Sequence, residues 1–244
     1  MSGEARALAR ALLPRWLLER YRRNRKLSDA RRLGAVSAAA SPGVWWDAIS
    51  QSIWFRPLQD PREILGLLDL VRRRAAPLHA TCEIGVAAGG TAFLLSRAAA
   101  DDATLVLVDR DFADGHDTAL PLFAREGQRL RCVRGDSQAD ATRDAVAAML
   151  QGRRLDLLLI DADHSLTGVS RDFALYTPLV RPGGLVALHD INPDHRTRFG
   201  HGTGDAGHVT EFWRSLSPDL GPRHEFVADP AQDGGGLGVI EWRG

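Results

Sequence analysis

One stretch constrains this chain more than any other: Thr81-Cys82-Glu83-Ile84-Gly85-Val86-Ala87-Ala88-Gly89-Gly90-Thr91, followed by Ala92-Phe93-Leu94-Leu95. An apolar run ends in an acid, crosses a string of small residues and becomes apolar again. That order reads as strand, tight turn, helix. Glycine allows the sharp turn and lets a ligand approach the backbone with no Cβ in the way. The first turn of the following helix offers unpaired N–H groups and a positive dipole end. Such a turn suits a nucleotide-like cofactor. Twenty positions after Gly89, Asp109 closes the apolar run Leu105-Val106-Leu107-Val108. An acid at the tip of a second strand can accept both hydroxyls of a ribose.

The spacing is not G-x-G-x-x-G, whose third glycine packs the helix and whose helix start holds a pyrophosphate. Glu83 stands two residues before the first glycine, where it would repel a phosphate and could hold a cation. A nicotinamide-dependent dehydrogenase is therefore the poorest fit. The pattern Glu83-x-Gly85-x-Ala87-x-Gly89-Gly90 resembles the first motif of the class I S-adenosylmethionine (SAM) methyltransferases, with Ala87 where that family usually has glycine. The resemblance implies SAM as cofactor, contacted by Glu83, Gly85, Ala87, Gly89, Gly90, Thr91, Asp109, Arg110, Asp136, Ser137 and Asp161. Asp109 is expected to take the ribose hydroxyls, and Asp136-Ser137 to lie near the adenine.

From Leu78 onward the chain alternates strand and helix. Strands are expected at 79–84, 104–109, 130–134, 155–160 and 185–189, and helices near 90–100, 117–126, 139–150 and 167–180. Runs such as Leu155-Asp156-Leu157-Leu158-Leu159-Ile160 belong in a parallel sheet covered on both faces. The tail offers two more strands, 223–228 and 237–242. The expected fold is α/β: a Rossmann-like class I methyltransferase fold with a seven-stranded, mostly parallel sheet closed by an antiparallel hairpin. Residues 1–58 would form an N-terminal helical extension and residues 59–244 the SAM-dependent domain. With 244 residues and 44% apolar content the chain can bury a sizeable core. Lys+Arg and Asp+Glu both number 31, so no global charge draws it to nucleic acid. Cys82 and Cys132 fall in strands and read as small core residues. No run is apolar and long enough to span a membrane and no signal peptide is evident, which makes a cytoplasmic location the expectation.

The extension differs from the rest. Arg6, Arg10, Arg15, Arg20, Arg22, Arg23, Arg25, Arg31 and Arg32 interleave with Leu8, Leu12, Leu13, Trp16 and Leu17 at helical spacing. The favoured reading is a helix packed on its own domain or on a second subunit, hence a homo-oligomer. The alternative is a basic amphipathic helix lying on an anionic membrane surface. Ala38 to Gly43 reads as a linker. Trp45, Trp46, Trp54 and Phe55 either wall an acceptor pocket or anchor the extension. Asp60 and Pro61 mark a helix start.

In open α/β sheets ligands bind outside the carboxyl ends of the strands, and here every such end carries acids or histidine. Asp161-Ala162-Asp163-His164 follow the fourth strand and His189-Asp190 end the fifth. Ile160 to Ser165, Gly168-Val169, Arg171-Asp172-Phe173, Tyr176, Arg181 to Gly184 and Leu188-His189-Asp190 resemble the methyltransferases grouped with the cephalosporin hydroxylase-like proteins, which include metal-dependent sugar and macrolide O-methyltransferases. The likeness runs from about Gln59 to the tail. It implies a divalent metal (Mg2+, or Mn2+/Fe2+) held by Asp161, His189 and Asp190, with His164 as base. Some relatives carry two acids where this chain has His189-Asp190. Imidazole is a poor magnesium ligand, so either His189 faces away and Asn192 substitutes, or the metal is not magnesium. The function implied is SAM-dependent methylation of a hydroxyl on a sugar or other hydroxylated secondary metabolite, a small-molecule acceptor. Two alternatives keep the same residues: a non-haem iron oxygenase using the His/Asp cluster, and a non-catalytic SAM-binding subunit. Ile191 to Val209, rich in glycine and carrying His195, His201 and His208, reads as a lid or connection.

Overall fold

A computed structural model describes residues 14–113, 115–202 and 204–244. Arg6, Leu8, Arg10, Leu12 and Leu13 of the basic segment lie outside the described residues. The chain runs α1 (Arg15–Gly34), α2 (Pro42–Ser50), α3 (Pro61–Arg73), β1 (Ala80–Ile84), α4 (Gly90–Ala98), β2 (Thr104–Asp109), α5 (His116–Ala119), β3 (Arg129–Arg134), α6 (Asp140–Leu150), β4 (Leu155–Ile160), α7 (Leu166–Tyr176), β5 (Val180–His189), α8 (His195–Phe199), α9 (Val209–Ser215), β6 (Arg223–Phe226) and β7 (Leu237–Glu241). The seven strands form one sheet in the order β3-β2-β1-β4-β5-β7-β6. Strands β1 to β5 pair in parallel, and β7 runs antiparallel to both β5 and β6. The expected hairpin-closed sheet is what forms.

Alternation along each strand divides the core in two. Leu105, Leu107, Leu157, Leu159, Leu185 and Ala187 face one side, with α3 and α4 above them. Val106, Val108, Leu158, Ile160, Val186 and Leu188 face the other, under α6, α7 and α9. Successive side chains on a strand point to opposite faces, so an unbroken apolar run serves both layers.

The extension shares the first of these layers. Ala30, Leu33, Trp45, Ile49 and Phe55 are buried in the same cluster as Ile64, Leu67 and Leu68 of α3. Phe55 meets His116 and Phe123 edge-on, with ring centroids 5.3 and 5.0 Å away. Buried Arg97 fastens the end of α1: its guanidinium donates to the carbonyls of Gly34 (2.9 Å), Val36 (2.7 Å) and Phe123. Burial, with Arg125 nearby, pulls the Arg97 pKa down to about 10, so it stays charged near neutrality. The first half of α1 leaves Trp16 and Tyr21 exposed. No helix among the described residues is long and apolar enough to cross a membrane.

Two local expectations differ from what forms. The linker expected at 38–43 ends at Ser41, which caps α2 by accepting from the Val44 N–H (3.4 Å), with Pro42 opening the helix. Ser-Pro is an N-cap followed by a pre-set φ, not only a loop signal. The helix expected over 117–126 is one turn, His116–Ala119, followed by a 3₁₀ turn at Leu120–Phe123 that contains Pro121.

Because the extension and the domain share one apolar layer, truncating a side chain in it should weaken the whole. Phe55→Ala is expected to cost about 3–5 kcal/mol in urea unfolding, with one transition for the extension and the sheet together. A loss near zero, or a separate early transition, would show that Phe55 does not join the two.

Candidate active site

The order in which strands are added reverses at β1, which pairs in parallel with β2 on one side and β4 on the other. A crevice opens at the carboxyl ends of strands at such a switch point. Two adjoining clefts occupy it. The larger, about 510 Å³, is lined by Gly85, Ala87, Asp109, Arg110, Ser137, Asp161 and their neighbours. The smaller, about 230 Å³, runs from Arg56 to Gln59 across Glu83 and the Gly85–Thr91 turn to Asp161 and His164. Gly85, Ala87, Asp161 and Ala162 line both.

The turn is shaped by close backbone approach. Gly85 has φ +82°, and a Cβ there would lie 1.9 Å from the Asp161 carbonyl oxygen. Ala87, in the position where a glycine is usual in the resembling motif, adopts φ 46°. It takes the left-handed conformation that glycine would take without cost. Asp109 holds the turn from the side: its Oδ2 accepts from the N–H groups of Val86 (2.9 Å) and Ala87 (3.2 Å), and its Oδ1 from Asp111 (2.9 Å). Three of the roughly four lone-pair sites of the carboxylate are thus engaged, leaving one on Oδ1 for a ligand.

Glu83 is buried, and its Oε2 has no hydrogen-bond partner. Burial, then the charges of Asp161 and Asp109, push its carboxyl well above the usual range. A buried, unpartnered acid beside a cleft is a receptor for a cationic group. Thr91 and Gly90 open α4. Asp136 lines neither cleft; it pairs with Arg110 (3.1 Å) at the rim and accepts from the Gln138 N–H (3.1 Å). Ser137 and Gln138 take the lining position beside it.

At the other end, four side chains converge. His164 Nε2 lies 3.5 Å from Asp161 Oδ1 and 3.5 Å from Asp190 Oδ2. His189 Nδ1 lies 3.3 and 3.2 Å from the same two oxygens. Asp161, His164 and Asp190 place one donor atom each within 4.8 Å of one another, as a metal ion requires. The outward atoms are taken by other partners. Gln59 Nε2 donates to Asp161 Oδ2 (3.0 Å), the Gly235 N–H to Asp190 Oδ1 (2.9 Å), and His164 Nδ1 contacts the Asp205 carbonyl. A carbonyl only accepts, so the proton sits on Nδ1 and the Nε2 lone pair of the neutral ring faces the carboxylates. Lone pair against two anions is repulsive, so the cluster must hold a proton or a cation. With no metal present, the Asp161 hydrogen bond and the Asp205 carbonyl raise the His164 pKa to about 9. Burial would raise the Asp161 carboxyl, but the His189 charge and both imidazole hydrogen bonds hold it well below the usual range. Two carboxylates and imidazole nitrogens converging on one volume fit a divalent cation.

A protein-family model described as "Methyltransferase domain" matches residues 82–191. That stretch takes in the glycine-rich turn, the ends of β1, β2 and β4, and the His189-Asp190 pair. No curated protein sequence matches the chain. Among solved structures, a putative caffeoyl-CoA O-methyltransferase from Staphylococcus aureus is similar at 15% identity and TM-score 0.58, over 83% of this chain and 92% of that one. The O-methyltransferase TomG from Streptomyces achromogenes, involved in tomaymycin synthesis and solved with SAM, shows 19% identity and TM-score 0.52 over 90% of each chain. The mycinamycin-pathway methyltransferase MycE, solved with Mg and S-adenosylhomocysteine (SAH), shows 19% identity and TM-score 0.51 over 82% of this chain. This chain spans about half of MycE, 53% of its length. These likenesses establish the class I methyltransferase fold.

Around this site, sequence reading overlooked contacts made by Gln59, Asp205, His208 and Glu63. Gln59 bridges the two ends of the trough, accepting from Thr91 Oγ1 (2.9 Å) while donating to Asp161. Asp205 fixes the His164 ring, and the His208 N–H binds the His164 carbonyl (2.7 Å). The glycine-rich segment after β5 is therefore a backbone cradle for His164. Its histidines go separate ways: His195 toward Asp233, His201 against Phe199, His208 to Glu211. Glu63 accepts from Ala228, Gly236 and Gln232 and so holds the loop that donates to Asp190.

Two substitutions in the turn should move stability in opposite directions. Gly85→Ala is expected to lose at least about 2 kcal/mol, from the clash and the positive φ. Ala87→Gly is expected to gain about 0.5–1 kcal/mol by relieving a left-handed alanine. Thermal melts of the two variants check both signs.

Proposed function

We propose that the protein is a metal-assisted, SAM-dependent O-methyltransferase acting on a hydroxyl of a sugar or hydroxylated secondary metabolite. The observation that carries the reading is the His164 imidazole, locked through Nδ1 on Asp205, with Nε2 aimed between Asp161 and Asp190 at the mouth of a cleft that also holds Glu83. The TomG and MycE names, an O-methyltransferase and a methyltransferase of biosynthetic pathways, agree with that acceptor class.

Glu83 would receive the ammonium of the cofactor's amino acid part, which supplies the counter-charge its buried carboxylate lacks. Asp109 would offer its remaining Oδ1 lone pair to the ribose, and Ser137 and Gln138 would border the adenine. Asp161 and Asp190, with His189, would hold the cation. A bound divalent cation lowers the pKa of a hydroxyl it contacts and fixes its position. His164 Nε2 takes the hydroxyl proton. The acceptor oxygen forms a bond to the methyl carbon as the carbon–sulfur bond breaks, and the sulfonium leaves as neutral SAH. The carboxylates and imidazoles orient the acceptor, and the two-cleft trough aligns oxygen, methyl and sulfur. The parallel Rossmann-like sheet, in place of a double-stranded β-helix, counts against the oxygenase alternative.

The test uses labelled SAM with pools of hydroxylated acceptors. Chelator should abolish transfer while calorimetry still shows SAH bound. His164→Ala should lose on the order of a hundredfold in turnover with SAH affinity kept. Asp109→Ala should weaken SAH binding by about 1–3 kcal/mol and loosen the turn. Full activity in excess chelator would remove the metal from the mechanism.

A further inference from the structure

We infer that His189 makes this a mixed nitrogen–oxygen metal site that selects manganese, zinc or ferrous iron over magnesium. The inference rests on the metal-assisted reading above and adds the class of ion. His189 does not face away. Its Nδ1 is directed at Asp161 and Asp190 at 3.3 and 3.2 Å, while its Nε2 is buried with no partner. Asn192, the oxygen donor that could replace it, is engaged elsewhere. Its Oδ1 accepts from Arg198 (3.0 Å), and its Nδ2 donates to the carbonyls of Gln232 (3.3 Å) and Gly234 (3.0 Å).

The backbone brings two consecutive side chains to one point. Neighbours on a strand normally point to opposite faces. Asp190, just past β5, adopts φ 63°, a left-handed conformation costly for a non-glycine residue. That turn, held by the Gly235 N–H on Oδ1, swings the Asp190 carboxylate back beside the His189 ring. The donors then form a closed ring alternating nitrogen and oxygen: His164 Nε2, Asp161 Oδ1, His189 Nδ1, Asp190 Oδ2, with edges of 3.5, 3.3, 3.2 and 3.5 Å. Direct charge-assisted N–H···O bonds settle at about 2.7–2.9 Å. Donors bound at about 2.1 Å to one ion lie about 3–3.4 Å apart, the spacing of His189 Nδ1 from Asp161 Oδ1 and Asp190 Oδ2, while His164 Nε2 stands at 3.5 Å from both oxygens as the base beside them. Magnesium demands oxygen ligands in near-ideal octahedral geometry, whereas imidazole suits the later first-row ions.

The full-length protein, stripped with chelator, would be titrated calorimetrically with Mn2+, Zn2+ and Mg2+ salts alone, and compared with His189→Glu. Wild type should bind Mn2+ and Zn2+ far more tightly than Mg2+, and His189→Glu should narrow that gap at least tenfold by tightening Mg2+ or weakening the others. SAH binding confirms that the variant is folded. Independently of that variant, pulsed EPR of the Mn2+-loaded wild type should show imidazole nitrogen coupling that persists in His164→Gln. Mg2+ binding as tight as Mn2+, no nitrogen coupling, coupling lost only with His164→Gln, or an unchanged gap in His189→Glu would each overturn the inference. Selective metal binding without methyl transfer would sink the proposed function and leave this inference standing. Transfer driven equally by Mg2+ would do the reverse.

Discussion

Two carboxylates and two imidazoles meeting in one largely buried volume set the terms for much of this structure. Left alone, such groups would turn to water. Here each is held by an atom on its far side: Asp161 by Gln59, Asp190 by the Gly235 N–H, and His164 by the Asp205 carbonyl. His189 is held by the end of β5 itself. With the outer atoms committed, the inner four have only one another or a shared ion. Pre-organisation of this kind raises affinity because little ordering remains to be done on binding.

Those holding contacts come from distant parts of the chain. Gln59 precedes α3, and Glu63, one turn into it, anchors the 228–236 loop that in turn donates to Asp190 and accepts from Asn192. A single helix start therefore braces both carboxylates of the cluster, Asp161 directly and Asp190 through a loop. The extension stabilises that helix start from the opposite side, because α1 and α2 share its apolar layer. Packing energy far from the chemistry thus fixes atoms at the chemistry, by ordinary contact and not by any special device.

The sheet was legible because long apolar runs of strand-forming residues admit few alternatives, and the strand ends were legible because acids and histidines interrupt those runs at one edge. Glu83, Asp161, His164, His189 and Asp190 do gather at that edge. The contacts that orient them were not legible. Gln59 to Asp161 spans 102 positions and Glu63 to Gly236 spans 173, and no local periodicity reports such pairs. Asp205 contributes only a backbone carbonyl, which its residue type does not announce. Asp136, an acid after a strand, reads as a ligand residue; it sits at the rim, where its carboxylate meets Arg110 and its own turn while Ser137 and Gln138 line the cleft.

Strain follows the same map. Among the described residues, three that are not glycine adopt positive φ: Ala87, Gln151 and Asp190. Gln151 ends α6, where a left-handed residue closes a helix in the common way. The other two lie at the candidate site, Ala87 in the glycine-rich turn that lines both clefts and Asp190 in the carboxylate–imidazole cluster. Neither has a local reason for that conformation, since alanine prefers other regions and Asp190 ends a strand. Both are held there by contacts to neighbouring elements: Ala87 by the Asp109 carboxylate, Asp190 by the Gly235 N–H. Backbone held against its own preference by the surrounding fold marks positions where geometry serves something other than stability. In this chain both such positions belong to the candidate site, one in the glycine-rich turn and one in the carboxylate–imidazole cluster.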